Sequence, residues 1–281
     1  MTRLAALLCL ALALATPAGA GPVAGPVAGA TDFLLRGQLA DGGFAEAGAE
    51  PDVSLTAWAA LGLRAAGAPT GSAGAFLAER GERAGTATEL ELVLLARAAL
   101  GAEVEGLVAR VRSLARPDGR IGPTLNSTVW GILALRQAGA PAPASSRRYL
   151  LASQARSGGW SWASGVAPDS NDTAAAIQAL RSAGVAGTPI RRGLAFLRKL
   201  QNRDGGFELT AGRGSDAQST AWAIQAFLAA GERPGAAAYR YLAALRRPDG
   251  SYRYNARYAV TPVWVTAQVL PALAGKAFPL A

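Results

Sequence analysis

The chain repeats one turn motif, and the spacing of its copies points to a fold built from equal units. The motif is a glutamine, a glycine four positions later and an aromatic residue two positions after that. Three complete copies comprise Gln38, Gly42 and Phe44, then Gln154, Gly158 and Trp160, and then Gln201, Gly205 and Phe207. Two weaker copies keep the glycine and an apolar last residue, at Gly119 with Ile121 and at Gly250 with Tyr252. Such an internal period predicts an array of supersecondary units.

Helix-like stretches lie on both sides of each turn. The stretch before it is amphipathic, as in "IRRGLAFLRKLQ" from Ile190, and the stretch after it is apolar nearly all round, as in "STAWAIQAFLAA" from Ser219. A helix that is apolar on every side is buried, whereas an amphipathic helix has one face in water. The five turns and a degenerate unit at Leu92 and Gly101 give six units of about 40 residues, which predict an all-α fold over residues 31–281. We expect an α6/α6 toroid of six helical hairpins, because an open solenoid of similar period needs polar capping units that the sequence lacks.

The first 30 residues do not belong to the repeat. Residues 1–20 combine a basic start, an apolar run and the Ala18-Gly19-Ala20 pattern, which is typical of a secretory signal peptide. Residues 21–30, "GPVAGPVAGA", predict a flexible Gly/Pro/Ala spacer. The sequence thus predicts a secreted, extracellular protein with no membrane span in its mature part.

Two missing residue types exclude much chemistry. Cys9, within the apolar leader, is the only cysteine, and the chain has no histidine. The mature chain then offers no thiolate or imidazole ligand, so we expect no metal site and no cofactor. The formal charge of +9 comes mostly from arginines scattered among alanine and glycine. Because no arginine cluster alternates with aromatic residues through most of the chain, this charge does not predict nucleic-acid binding.

The complete copy at Gln154, Gly158 and Trp160 resembles the repeat named after its glutamine and tryptophan in squalene and terpene cyclases. Looser forms of that repeat occur in protein prenyltransferase β subunits, cobalamin carriers and complement-type thioester domains. From about Thr31 to Leu273 the chain resembles this superfamily of α/α toroids. The resemblance implies that the repeat residues tie outer helices together and are structural. It does not extend to the zinc site of the prenyltransferases or to the reactive cysteine of thioester domains, because the ligands are missing.

The segment "DSNDTA" at Asp169–Ala174 resembles the Asp-x-Asp-Asp-Thr-Ala segment with which class II terpene cyclases protonate an alkene. The middle acid is the proton donor in that family, and Asn171 stands at this position here. Asp169 and Asp172 are the remaining candidate acids, but a helix that begins here is expected to lower the pKa of Asp172. The resemblance also implies a partner histidine and a second barrel, for which this chain has no residues. Helix capping by Asn171 or Asp172 is the alternative interpretation.

A group of tyrosine, arginine and asparagine residues follows the last repeat turn, in "YRYNARY" from Tyr252 to Tyr258. Polysaccharide lyases, some of which are helical toroids, use a tyrosine base and an arginine or amide that neutralises the substrate carboxylate. Tyr254 is the candidate base under this hypothesis. The alternative is a surface turn stabilised by aromatic side chains.

Tryptophans recur in the apolar helices. We assign one shared position, nine residues before the glycine that ends the helix in the clearest units, to Trp58, Trp130, Trp222 and Trp264. Two amides, Gln178 and Gln225, follow this position by three residues in their own units, on roughly the same helix face. If this face is directed into the ring, these six side chains line an apolar cavity. If it is directed outward, the tryptophans pack the two rings of helices together.

These observations favour a protein without catalytic activity. It would bind an apolar or amphipathic small molecule in the central cavity, or a partner at the cavity mouth. A degenerate terpene-cyclase-like enzyme is the alternative, and a lyase acting on an acidic polysaccharide is the third hypothesis. The fold alone does not decide among them.

Overall fold

The fold is that of a computed structural model, which describes residues 24–280. The odd-numbered helices are α1 Ala24–Gly37, α3 Ala73–Arg80, α5 Glu105–Ser113, α7 Ala144–Ala152, α9 Thr188–Lys199 and α11 Ala236–Leu245. The even-numbered helices are α2 Val53–Ala65, α4 Ala87–Ala99, α6 Leu125–Gln137, α8 Ser170–Ser182, α10 Ala217–Ala229 and α12 Pro262–Leu273. A 3-10 turn, Gly81–Arg83, follows α3, and two short antiparallel strands, β1 Phe207–Glu208 and β2 Ser215–Asp216, precede α10. The prediction of an all-α chain is confirmed.

The even-numbered helices form an inner ring. Each packs against the next in order, and α12 packs against α2, which closes the ring. The odd-numbered helices pack on the outside of this ring. Helix α9 shows why they remain outside, since it buries Ile190, Leu194 and Leu197 while Arg198 and Lys199 are exposed. The two helix types thus follow the two hydrophobic patterns of the sequence.

The repeat glutamines bridge their own turn and, in two of the three copies, the first turn of the next outer helix or the segment just before it. Gln154 Nε2 donates hydrogen bonds to the carbonyl oxygens of Gly158 at 2.8 Å and of Pro189, in the first turn of α9, at 2.9 Å. Trp160 is fully buried, and its indole Nε1 donates to the carbonyl oxygen of Leu150 at 2.7 Å. The corresponding glutamine bonds are Gln38 Nε2 to Gly42 O and Thr70 O, and Gln201 Nε2 to Gly205 O.

Each repeat turn also fixes the start of the inner helix that follows it. The backbone N–H of Trp160 donates to Thr173 Oγ1 at 2.9 Å. Gly158 has a φ of +98°, and a Cβ atom there would lie 2.5 Å from the carbonyl oxygen of Arg192, so only glycine fits. The threonines that accept the equivalent bond in other units are Thr56, Thr128, Thr220 and Thr266.

The predicted flexible spacer at residues 21–30 is wrong from residue 24 onward, because α1 begins at Ala24. Ala30 and Leu34 of this helix are buried in the core. Gly250 lets the last repeat turn lie against α1, because a Cβ atom at Gly250 would collide with the carbonyl oxygen of Gly29. Tertiary packing therefore overrides the low helix propensity of glycine and proline.

The predicted signal peptide at residues 1–20 and the first spacer residues, 21–23, lie outside the described part of the chain. Among the helices within residues 24–280, none has the combined length and apolar character that a bilayer crossing requires.

Candidate functional site

The inner ring contains a cavity of about 400 Å³ that opens at the N-terminal ends of the inner helices. Two levels of side chains line it, and all six inner helices contribute to both. The level at the mouth consists of Ser54, Thr88, Asn126, Asn171, Gln218 and Trp264. The level one turn deeper consists of Trp58, Leu92, Trp130, Ala175, Trp222 and Gln268. The cavity is therefore polar near its mouth and mostly apolar at its base.

The loops before the inner helices form the rim of this mouth. In three units the loop covers the N-terminus of the preceding inner helix through one backbone hydrogen bond. Asn126 N donates to the carbonyl oxygen of Trp162 at 3.0 Å, and Ser170 N donates to that of Leu209 at 3.0 Å. The rim thereby satisfies helix N–H groups that would otherwise lack a partner.

The side chains of Trp58, Trp130 and Trp222 contact one another at the centre of the ring of inner helices. Their ring centroids are 5.3 Å apart for Trp58 and Trp130, 5.7 Å for Trp58 and Trp222, and 5.5 Å for Trp130 and Trp222, all edge to face. They come from alternate inner helices, α2, α6 and α10, and we refer to them as the tryptophan cluster. The sequence allowed these tryptophan side chains to face either the cavity or the outer helices, and in the structure they face the cavity. The cluster forms the base of the cavity.

Trp264 does not share this position, so the sequence assignment is wrong for the last unit. Trp222 follows Thr220 by two residues, and the residue two positions after the equivalent Thr266 is Gln268. Trp264 lies two positions before Thr266, at the mouth level. The assignment of Trp264 did not follow the glycine spacing, because Gly275 lies eleven residues after Trp264 whereas Gly231 lies nine residues after Trp222. The threonine register would have identified Gln268.

Gln268 links two cavity walls. Its Oε1 accepts a hydrogen bond from Trp222 Nε1 at 3.0 Å and another from Gln218 Nε2 at 2.7 Å. This amide therefore fixes the orientation of one tryptophan in the cluster.

Gln178 and Gln225 do not line the cavity, contrary to the sequence prediction. Both are buried one turn further from the mouth than the tryptophan cluster. Gln178 Oε1 accepts a hydrogen bond from the backbone N–H of Phe278 at 2.8 Å, and no described residue bonds the amide of Gln225. The prediction fails because the C-terminal segment, residues 276–280, enters the ring from the far end and fills this level.

Asp169 and Asp172 lie together at the cavity wall. Asp169 caps α8, since its Oδ1 accepts from the backbone N–H of Asp172 at 2.8 Å. Asp172 Oδ1 accepts from Asn126 Nδ2, on the neighbouring helix α6, at 2.7 Å. Neither Asn171 nor Asp172 is the cap, so that alternative is wrong. Asn171 lies at the mouth level of the cavity.

The pKa of Asp172 is raised rather than lowered. Burial raises it first, and repulsion from the Asp169 carboxyl adds to the effect, which brings the pKa to about 8. The hydrogen bond from Asn126 opposes this shift. The expectation of a lowered pKa was wrong because it considered the helix N-terminus and not the loss of water around the carboxyl.

Tyr254 is not among the side chains that line the cavity. Its carbonyl oxygen accepts from Ala217 N at 2.7 Å, and burial raises the pKa of its hydroxyl, which disfavours a tyrosinate base. The following residues bond within their own turn, where Asn255 Oδ1 accepts from the N–H groups of Arg257 and Tyr258. This geometry corresponds to the alternative of a surface turn.

No protein-family model matches the chain, and no curated protein matches it in sequence. Solved structures do resemble it. The apo form of the type II terpene cyclase MstE from Scytonema has a TM-score of 0.70 at 19% identity, with 89% of this chain and 96% of that chain covered. A variant of MstE in complex with geranylgeranyl dihydroxybenzoate, its substrate, has a TM-score of 0.70 at 17% identity. That alignment covers 90% of this chain and 96% of the other.

Two further structures extend the comparison. A protein from Actinoplanes has a TM-score of 0.70 at 21% identity, with 90% of this chain and 98% of that chain covered. A wild-type glycosidase has a TM-score of 0.62 at 14% identity, with coverage of 88% and 95%.

The match to MstE corrects one sequence argument. Because the aligned part of this chain covers 96% of the MstE chain, that type II cyclase has no second barrel of comparable size. A type II terpene cyclase can therefore consist of one barrel, so the sequence argument that expected a second barrel fails. At these identities the similarity concerns the fold, and the chain has the α/α-toroid fold of a type II terpene cyclase.

Proposed function

We propose that the cavity binds an apolar or amphipathic small molecule. The observation that carries this proposal is the tryptophan cluster at the base of a cavity whose mouth is polar. The apolar part of the ligand would lie on the tryptophan faces beside Leu92 and Ala175, where removal of apolar surface from water is favourable. A polar end would lie at the mouth, where Asn126 and Asn171 offer amides.

The size of the cavity agrees with this proposal. A volume of about 400 Å³ falls in the range of small-molecule sites, which are concave and mostly apolar with a few polar groups. We also infer that the closed ring is an α6/α6 toroid of six hairpins, supported by the contact of α12 with α2. Secretion is supported by the leader pattern at residues 1–20, and N-terminal sequencing of protein recovered from culture medium would test it.

Titration with farnesol, followed by tryptophan fluorescence, tests the binding proposal. We expect a saturable change in emission that Trp130→Phe reduces, because Trp130 lies in the cluster. Trp162→Phe is the matched control, since Trp162 is half exposed on the rim. Glucose serves as the polar probe and is expected to cause no saturable change. Absence of saturation by farnesol would contradict the proposal, and saturation by glucose instead would indicate a polar ligand.

A proton-transfer enzyme is the second candidate, and the raised pKa of Asp172 favours it. A carboxyl that keeps its proton near neutral pH inside a partly apolar cavity can act as a general acid. The faces of the nearby tryptophans can stabilise a cation formed from an alkene. Two features oppose this candidate, namely Asn171 at the donor position of the resembling motif and the absence of histidine.

Incubation with geranylgeranyl diphosphate and with squalene separates the two candidates. Cyclic products from the wild type that disappear in Asp172→Asn would establish the enzyme and overturn the non-catalytic interpretation. We expect no cyclic product from the wild type. We also expect none from Asn171→Asp, because a third carboxyl beside Asp169 and Asp172 still has no histidine to orient its proton. Cyclic product from that variant alone would indicate that one substitution separates this chain from a cyclase.

A further inference from the structure

The C-terminal segment, residues 276–280, lies inside the ring of inner helices, at the end opposite the cavity mouth. Leu280 N donates to Gln137 Oε1 at 2.6 Å, and Gln137 Nε2 donates back to the Leu280 carbonyl oxygen at 3.0 Å. Phe278 N donates to Gln178 Oε1 at 2.8 Å. Two inner helices, α6 and α8, therefore hold the backbone of this segment through side-chain amides.

The side chain of Phe278 supports the tryptophan cluster from below. It is only 2% exposed, and its ring centroid lies 6.1 Å from those of Trp58 and Trp222. The two tryptophans thus have the cavity on one side and Phe278 on the other. Protein interiors are close-packed, so the tryptophan rings cannot move away from the cavity while the Phe278 ring occupies this space.

We propose that the C-terminal segment sets the depth of the cavity, with Phe278 as the residue that limits the length of the ligand. This inference rests on the proposed binding function. Removal of the Phe278 ring leaves space beneath the cluster, into which Trp58 or Trp222 can turn. The cavity then extends from its present base toward the level of Gln178.

The anchoring of the segment makes this proposal testable. Its hydrogen bonds use backbone atoms of residues 278 and 280, so Phe278→Ala removes the ring and leaves these bonds in place. Leu280→Ala is the matched control, because it shortens a side chain of the same segment that has no aromatic contact with the cluster.

The first experiment measures binding of the prenyl alcohols geraniol, farnesol and geranylgeraniol, which differ by one isoprenoid unit each. In Phe278→Ala we expect the affinity for geranylgeraniol relative to farnesol to rise about tenfold over the wild-type ratio, since extra methylene groups become buried. In Leu280→Ala the ratio should equal that of the wild type. An unchanged ratio in Phe278→Ala would overturn the proposal. If that variant does not fold, Phe278→Leu should shift the ratio in the same direction by less, and no shift there would overturn it as well.

The second experiment does not depend on a ligand. A crystal structure of Phe278→Ala should show a cavity that continues past the tryptophan cluster. Unmoved tryptophans above an isolated void would refute the role of Phe278. If none of the alcohols binds the wild type, the proposed binding function fails, and this structure still decides whether Phe278 limits the depth of the cavity.

Discussion

Replacement of Glu91 by glutamine is expected to make the stability of the protein less dependent on pH. Glu91 lies in α4 and is fully buried, and neither carboxyl oxygen has a hydrogen-bond partner among the described residues. Burial raises its pKa well above the usual value. The folded state therefore keeps the proton at a pH where the unfolded chain has released it. As pH rises above the unfolded pKa of about 4.3, each pH unit lowers the free energy of unfolding by about 1.4 kcal/mol, until the folded carboxyl also ionises.

Glutamine has nearly the same shape and no proton to lose, so Glu91→Gln removes this loss of stability. Urea unfolding at several pH values measures it. We expect wild type and variant to have similar stability near pH 4 and to diverge above that pH, with the variant more stable, by about 1.4 kcal/mol per pH unit until the folded carboxyl ionises. Glu79→Gln, at an exposed glutamate, is the control. Parallel profiles of wild type and Glu91→Gln between pH 5 and 7 would refute the reasoning, because they would mean that the buried carboxyl has a partner that stabilises its charge.

Three further predictions concern the repeat turn and the acid pair, by which we mean the carboxyl groups of Asp169 and Asp172. Trp160→Ala should lower the free energy of unfolding by about 3–5 kcal/mol, whereas Trp162→Ala, at a half-exposed position, should change it by less than about 0.5 kcal/mol. Equal effects of the two substitutions in urea unfolding would contradict the structural role of Trp160. Gly158→Ala should be destabilising by at least about 1 kcal/mol, since the backbone is strained at positive φ and the Cβ collides; an unchanged melting temperature would argue against this turn geometry. Asp169→Asn should keep the helix cap and lower the pKa of Asp172, because the repulsion between the two carboxyl groups disappears while Asp172 remains buried. An NMR titration in which the pKa of Asp172 stays the same or rises would contradict the contribution assigned to this repulsion.

The sequence predicts the all-α fold well because its two helix patterns are unambiguous. Helices such as α10 are apolar on every side, and helices such as α9 are amphipathic, so each type has only one suitable environment. The start of α1 could not be predicted in the same way. Residues 24–30 contain glycine and proline, and they are helical because Ala30 and Leu34 pack in the hydrophobic core.

The candidate site was predicted less completely than the fold. Trp58, Trp130 and Trp222 were identified from their spacing, but whether they face the ring depends on how neighbouring helices are rotated. Trp264 was assigned to the same level although the glycine spacing does not hold in the last unit, and the threonine register assigns Gln268 instead. Gln178 could not be recognised as an anchor, because no local pattern shows that residues 276–280 return into the ring.

The acid pair shows how two opposing effects act within one helical turn. The N-terminus of α8 favours a negative charge, an effect of about 0.3–1 kcal/mol at an exposed site. Removal of a carboxylate from water costs several times more free energy. Burial therefore determines the direction of the pKa shift wherever water is excluded. Asp169 caps the helix at the less buried edge, whereas Asp172, three residues further along the chain, is buried against Asn126 and has a raised pKa. The presence of a protonated acid at this wall therefore depends on which side chain is desolvated, and it does not require an aspartate at position 171. For the same reason Asn171 alone is not sufficient evidence that the cavity lacks a general acid, and the Asp172→Asn comparison is the experiment that addresses it.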